Sequence, residues 1–258
     1  MIIATAPLRP PRRGEGPCKN PDPMAEERVL LVTGASSGIG AQTARRAAEA
    51  GYRLVLGARR EEKLSELAAE LGGSERALAV GCDVTDWDQV QALAKAGLDA
   101  YGRLDAVFAN AGFGASRGFL EESPEHWREM ILTNVYGVAL TIRATLPTLL
   151  EADAGHYLIT GSVAGRRALP GSLYSATKWA VTAIGEGLRQ ELRQMRENHT
   201  IRVTLLEPGI VDTDFFDDRP GDRALGDDDI ARAALYALSQ PPGVDVNEIL
   251  IRPTSQSA

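Results

Sequence analysis

From Arg28 onward, short apolar runs alternate with stretches in which hydrophobic residues recur at helical spacing. The runs are Arg28–Val32, Leu54–Ala58, Ala77–Asp83, Leu104–Ala109, Tyr157–Ile159, Arg202–Glu207 and Ile249–Ile251. They are rich in Val, Ile and Leu, as strands covered on both faces are. Helical spacing covers Gln42–Ala50, Thr85–Tyr101, Trp127–Leu149, Tyr174–Arg196 and Ile230–Leu238, and a further helix opens at Glu61 and Glu62. This alternation predicts an α/β fold, a doubly wound parallel sheet of about seven strands with helices on both faces. A chain of 258 residues suits a single domain of that kind. In such sheets the chemistry gathers beyond the carboxyl ends of the strands.

Two stretches at strand ends carry candidate chemistry. The first strand runs straight into Thr33-Gly-Ala-Ser-Ser-Gly-Ile-Gly40, followed by helix. Strand, glycine turn and helix N-terminus place backbone N–H groups where a dinucleotide pyrophosphate binds, the mark of a Rossmann-type domain. Gly34, Ser36, Ser37, Gly38, Ile39 and Gly40 are the candidate contacts, although the G-x-x-x-G-x-G spacing departs from G-x-G-x-x-G. The second stretch is Tyr174-Ser-Ala-Thr-Lys178, a phenol and an ammonium on one helix face. A nearby cation favours the phenolate, and lowering a tyrosine pKa from about 10 towards neutrality takes about 4 kcal/mol. The expectation is therefore a depressed Tyr174, suited to acid–base work on an alcohol or carbonyl.

In this order the two motifs resemble the short-chain dehydrogenase/reductase family, in its branch of about 250 residues. The resemblance spans Glu27 to about Pro253. It implies that Asp83 and Val84 contact adenine, that Asn110, Ala111 and Gly112 line the cofactor cleft, and that Pro208, Gly209 and Thr213 hold the nicotinamide end. It further implies a catalytic set of Asn134, Ser162, Tyr174 and Lys178, with Asn134 holding a water between Lys178 and solvent. Ser162 and Tyr174 are 12 residues apart, one fewer than is frequent in the family, so the Arg166–Gly171 loop is expected to be short by one. Leu-Gly-Ala-Arg-Arg60, Tyr-Ser-Ala-Thr-Lys-Trp-Ala-Val181 and Val246–Pro253 resemble a group containing NADP-dependent 3-hydroxy acid (serine-type) dehydrogenases and clavulanate-type aldehyde reductases. The family also implies a homodimer or homotetramer, paired through the helices at Trp127–Leu149 and Tyr174–Arg196, with Trp179 and Ala183 as contacts or as core.

Each of these residues has a plainer alternative when taken singly. Asp83 could cap a turn, Asn110 could bond its own backbone, Asn134 could be a packed polar residue, and Thr160 rivals Ser162. The cofactor turns on the second strand, Arg53–Ala58. Ala58 stands where NAD enzymes carry a carboxylate, and Arg59 and Arg60 follow, which points to NADP(H) with Arg59 the main 2′-phosphate contact and Arg60 the lesser. The same arginines could instead pair with Glu61 and Glu62. The reading is an NADP(H)-dependent oxidoreductase acting on a small carbonyl or alcohol, and the alternative is an NADP(H)-binding sensor or scaffold without turnover.

The net charge of −7 argues against nucleic acid as a partner. No apolar run is long enough for a membrane span. Cys18 and Cys82 offer no disulfide framework, and His126, His156 and His199 lack metal-ligand spacing. These features fit a cytoplasmic protein without a metal. Residues 1–23 are Pro- and Arg-rich and are expected to be a disordered extension, with Met24 resembling a natural start ahead of the 24–258 domain. Asp227–Asp229 are expected to cap the helix after them, and Phe215 and Phe216 to face substrate or core.

Overall fold

The computed structural model describes residues 28–116, 118–195, 200–213 and 224–256. The expectations for residues 1–24, Arg196, His199, Phe215 and Phe216 fall outside these residues. The strands are β1 (Val29–Thr33), β2 (Arg53–Ala58), β3 (Ala77–Gly81), β4 (Ala106–Ala109), β5 (Ala154–Thr160), β6 (Thr200–Pro208) and β7 (Glu248–Ile251). They form one seven-stranded sheet in the order β3-β2-β1-β4-β5-β6-β7. All the pairings are parallel. Leu30 of β1 is in register with Leu54 of β2 on one side and Ala106 of β4 on the other. Connections reverse direction at that central pair, opening the crevice where ligands of such sheets bind.

The helices are α1 (Gly38–Glu49), α2 (Glu61–Glu70), α3 (Trp87–Tyr101), α4 (Pro124–Ile131), α5 (Gly137–Ala152), α6 (Leu173–Met195) and α7 (Asp227–Leu238). Alternation along the strands builds a core on each face. Leu30, Val32, Leu54, Leu56 and Phe108 pack under α1, α2 and α7. Val29, Leu31, Val55, Val107, Tyr157 and Val203 pack under α3, α5 and α6. The central pair β1 and β4 is buried along its whole length, which is why these sequences read as apolar runs.

Several boundaries differ from expectation for local reasons. α3 begins at Trp87, because Asp86 is the N-cap and its carboxylate accepts from the N–H groups of Asp88 and Gln89. Asp83 instead turns the chain ahead of it, accepting from the Thr85 N–H and hydroxyl at 2.9 and 2.8 Å. The single helix expected at Trp127–Leu149 starts earlier, where Ser123 caps α4. It is then broken by a π-helical turn, Leu132–Tyr136, before continuing as α5. α7 includes the three aspartates in its first turn, and the Asp229 carboxylate accepts from the Gly226 N–H at 3.0 Å. Asp228 also joins α7 to α1 through Arg46 (2.7 Å) and Gln42 (3.0 Å). No helix among the described residues is long and apolar enough to cross a membrane.

Candidate active site and cofactor cleft

The carboxyl ends of β1, β4, β5 and β6 open into a cleft of about 1060 Å³. Its walls include the expected residues Gly34, Ser36, Ser37, Gly38, Ile39, Arg59, Arg60, Asp83, Val84, Asn110, Ala111, Gly112, Ser162, Tyr174, Lys178, Pro208, Gly209 and Thr213. Gly40 and Asn134 lie behind the wall. A side chain at Gly40 would come within 2.4 Å of the Gly34 carbonyl and 2.6 Å of the Asn110 amide, so its absence lets α1 close on β4.

The glycine turn is built for an anion. Ser37 is the N-cap of α1, yet its side chain makes no capping hydrogen bond, and the first turn holds no acidic residue. The Ser37 hydroxyl accepts from Arg60 Nη2 at 2.5 Å, and the Ser36 hydroxyl from Arg60 Nε and Nη2 at 3.1 and 2.9 Å. The uncapped N–H groups at the positive end of α1 and the adjacent guanidinium suit a phosphate-bearing ligand. Gly38, at φ +53, lies where a Cβ would press on Thr213 at 3.2 Å, so the segment after β6 reaches across to this turn. Of the two arginines, Arg60 is the one bonded to the turn. Neither is bonded to Glu61 or Glu62 among the described residues.

Hydrogen bonds stitch the strand ends together. Thr33 Oγ1 accepts from the N–H groups of Asn110 (3.0 Å) and Ala111 (3.2 Å). Asn110 Nδ2 donates to the Thr33 carbonyl at 3.2 Å, and its Oδ1 accepts from the Thr160 hydroxyl at 2.9 Å. The Thr160 carbonyl in turn accepts from Lys178 Nζ at 2.8 Å. The Thr160 hydroxyl proton is thus committed to Asn110. Ser162 follows β5 in extended backbone and caps the short helical turn Val163–Gly165, accepting from the Ala164 N–H at 3.1 Å. That turn is anchored by Arg166, which pairs with buried Glu207 at 2.6 Å and with Glu248.

Tyr174 and Lys178 lie one turn apart on α6. The Tyr174 phenol is hydrogen-bonded to Ser162, and the Lys178 ammonium lies 5.6 Å from the centre of the Tyr174 ring. The expected depression of Tyr174 is not found. Tyr174 is half-buried on the cleft wall, and desolvation by the protein around it pushes the phenol up to about 12 while the Ser162 hydrogen bond pulls the other way. Burial also lowers Lys178 from 10.5 to about 8. The ammonium stands over the ring and donates to the Thr160 carbonyl.

Asn134, 1% exposed, occupies the π turn but does not face the cleft. Its Nδ2 donates to the Phe113 carbonyl (2.9 Å) and to the Thr177 hydroxyl (3.2 Å), and its Oδ1 accepts from the Phe113 N–H (3.0 Å). Both amide protons of the side chain are thus used within the protein. Gly112 is required beside it, since a Cβ there would lie 2.9 Å from Asn134 Oδ1. Sequence reasoning missed His126 and Glu122 on the same wall. His126 Nε2 donates to the Gly114 carbonyl (3.0 Å) and Glu122 accepts from the Ser116 N–H (3.2 Å), which straps the loop after β4 to α4. Gln256 was missed as well, because it follows the last strand and belongs to no motif.

A parallel sheet with an anion-binding glycine turn at its crossover and a Ser–Tyr–Lys cluster beside it defines a nucleotide-binding oxidoreductase class. The match to the short chain dehydrogenase family model covers residues 28–224, and the chain belongs to that family. An uncharacterized oxidoreductase of Staphylococcus saprophyticus is 40% identical over 245 residues, 90% of this chain and 98% of that protein. An alcohol dehydrogenase from the archaeon Thermococcus sibiricus, solved with 5-hydroxy-NADP, superposes with a TM-score of 0.80 at 35% identity, covering 90% of this chain and 98% of that one. A closed serine dehydrogenase complexed with NADP+ gives 0.83 at 30% identity, over 89% and 96% of the two chains. A family member from Burkholderia phymatum solved with NAD gives 0.77 at 31%, over 86% and 88%. A nicotinamide cofactor and a small-molecule substrate therefore follow for this chain at the level of the family.

Proposed function

We propose that the protein is an NADP(H)-dependent oxidoreductase that interconverts a carbonyl and a primary or secondary alcohol on a small organic substrate. The observation that carries this is the convergence of Ser162, Tyr174 and Lys178 on the wall of a cleft whose other end is the glycine turn. The nicotinamide supplies or accepts the hydride. Tyr174, protonated at neutral pH, donates its proton to the substrate oxygen as the alcohol forms. Ser162 hydrogen-bonds the same oxygen and orients it. Lys178 binds the nicotinamide ribose and offsets charge left on Tyr174. Asn134 acts behind them, holding Phe113 and the helix turn that carries Lys178.

The 2′-phosphate would be held by Arg60, with Arg59 beside it, and the absence of a carboxylate at Ala58 supports NADP over NAD. The pyrophosphate falls to Gly34, Ser36, Ser37, Gly38 and Ile39, adenine to Asp83 and Val84, and the nicotinamide end to Asn110, Ala111, Gly112, Pro208, Gly209 and Thr213. A cytoplasmic homodimer or homotetramer fits an apolar groove of about 440 Å³ between α5 and α6, with Trp179 49% exposed on α6.

The test is cofactor oxidation with a panel of aldehydes, ketones and 3-oxo acids, comparing NADPH with NADH. Tyr174→Phe serves as the blank, and is expected to lose turnover by at least about a hundredfold while binding cofactor as the wild type does. Substantial activity in Tyr174→Phe would refute the assignment. Tight binding without turnover on any substrate would favour a sensor or scaffold.

A further inference from the structure

The segment after β7 returns to the cleft. A turn closed by Gln256 N–H donating to the Pro253 carbonyl (3.0 Å) brings the Gln256 side chain onto the wall beside Pro208–Val211. Its Oε1 accepts from the Ile210 N–H at 3.0 Å. Only an oxygen can accept there, so the orientation of the carboxamide is fixed. The neighbouring backbone accommodates the same oxygen. Gly209 has room for no side chain, because a Cβ would lie 2.2 Å from Gln256 Oε1 and 3.1 Å from Arg252 Cγ. The Gly209 N–H is meanwhile tied to the Ile251 carbonyl at 2.7 Å. The glycine of the Pro-Gly turn is thus explained by the side chain seated on it, with no demand for positive φ.

What this contact holds is the stretch from Pro208 to Thr213, which leaves β6, lines the nicotinamide end and packs Thr213 against Gly38 of the glycine turn. Among the described residues the stretch is also tied through the Pro208 carbonyl, which accepts from the Ser162 hydroxyl at 3.5 Å, and the Ile210 carbonyl, which accepts from the Leu225 N–H at 2.9 Å. Val211 forms an isolated bridge with Leu225, and the Asp212 N–H donates to the Leu225 carbonyl at 2.8 Å. We propose that Gln256 is a positioning residue of the cofactor site. It latches the Pro208–Thr213 segment through the Ile210 N–H, and Gly209 is glycine so that the latch can close. The proposal rests on reading the cleft as a nicotinamide nucleotide site, and it acts on cofactor affinity.

The experiment titrates NADPH against the wild type, Gln256→Ala, Gln256→Glu, Gly209→Ala and the Gln256→Ala/Gly209→Ala double variant by fluorescence, with thermal midpoints measured alongside. Gln256→Ala is expected to weaken NADPH binding about five- to tenfold, comparable to one lost hydrogen bond, with little change in midpoint. Gln256→Glu retains an oxygen for the Ile210 N–H and should restore binding to within about twofold. Gly209→Ala should match Gln256→Ala, and the double variant should be no worse than either, because both remove the same contact. Unchanged binding in Gln256→Ala, or additive losses in the double variant, would overturn the latch. Since the readout is binding, it stands even if Tyr174→Phe were to retain turnover. A wild type that binds no NADPH would sink the cleft assignment and the latch together.

Discussion

Burying Lys178 costs the fold stability, and Lys178→Met measures that cost. Only 5% of the residue is exposed, and desolvation brings its pKa from 10.5 down to about 8. That fall corresponds to about 3 kcal/mol of penalty on the charged form. A group whose folded pKa lies below its unfolded value binds fewer protons when folded across the window between the two. Wild-type stability therefore rises with pH from about 8 to 10.5, and the penalty is present in full below that window. Methionine fills similar space without a charge and removes this dependence, but it leaves the Thr160 carbonyl without its 2.8 Å donor, a loss of about 1–3 kcal/mol at every pH. At neutral pH the two effects largely offset, so the variant should be about as stable as the wild type. By pH 10.5 it should be less stable by about the cost of that unpaired carbonyl. Urea unfolding followed by tryptophan fluorescence at a series of pH values gives the difference, in which every other titrating group cancels. A wild-type-minus-variant difference that stays level between about 8 and 10.5 would refute the reasoning.

Further outcomes follow from the same geometry. Arg60→Ala should weaken NADPH binding by more than tenfold, about 1.4 kcal/mol or more, and leave NADH nearly unaffected, as parallel titrations would show. Gly40→Ala should destabilise the fold by about 1–3 kcal/mol and impair binding of either nucleotide, read by denaturation and titration. Arg166→Ala would strand the carboxylate of Glu207, which is 1% exposed and whose pKa burial already raises. Unfolding experiments should register about 3 kcal/mol of lost stability, with turnover falling further as the turn after Ser162 loosens.

The architecture was legible because central parallel strands bury both faces, leaving apolar runs such as Val29–Val32 that periodicity cannot confuse with an amphipathic helix. Boundaries slipped where a single side chain decides them. Asp86 rather than Thr85 starts α3, and the π turn at Leu132–Tyr136 leaves no periodic trace because it inserts into a helix without ending it. Motif spacing located Ser162, Tyr174 and Lys178 but not the electrostatics, because whether burial or a neighbouring cation governs a phenol depends on packing. Gln256 and His126 were invisible for another reason. Their roles consist of single bonds to backbone atoms distant in sequence, at Ile210 and Gly114.

The chain of bonds from Thr33 through Asn110 and Thr160 to Lys178 has a bearing on how such a protein can diversify. It joins three strand ends and a helix using one hydroxyl, one amide and main-chain carbonyls, and none of its members comes from the loops at Phe113–Glu122 or Arg166–Ser172 that wall the opposite side of the cleft. Those loops connect to α6 at other positions, Phe113 through Asn134 to Thr177 and Leu169 at Ser175, whereas a change at Asn110 is felt at once in the glycine turn and, through Thr160, at the lysine. Loop changes beyond Phe113 and Leu169 therefore leave the bonded chain untouched, and changes at the strand ends disturb all of its members together.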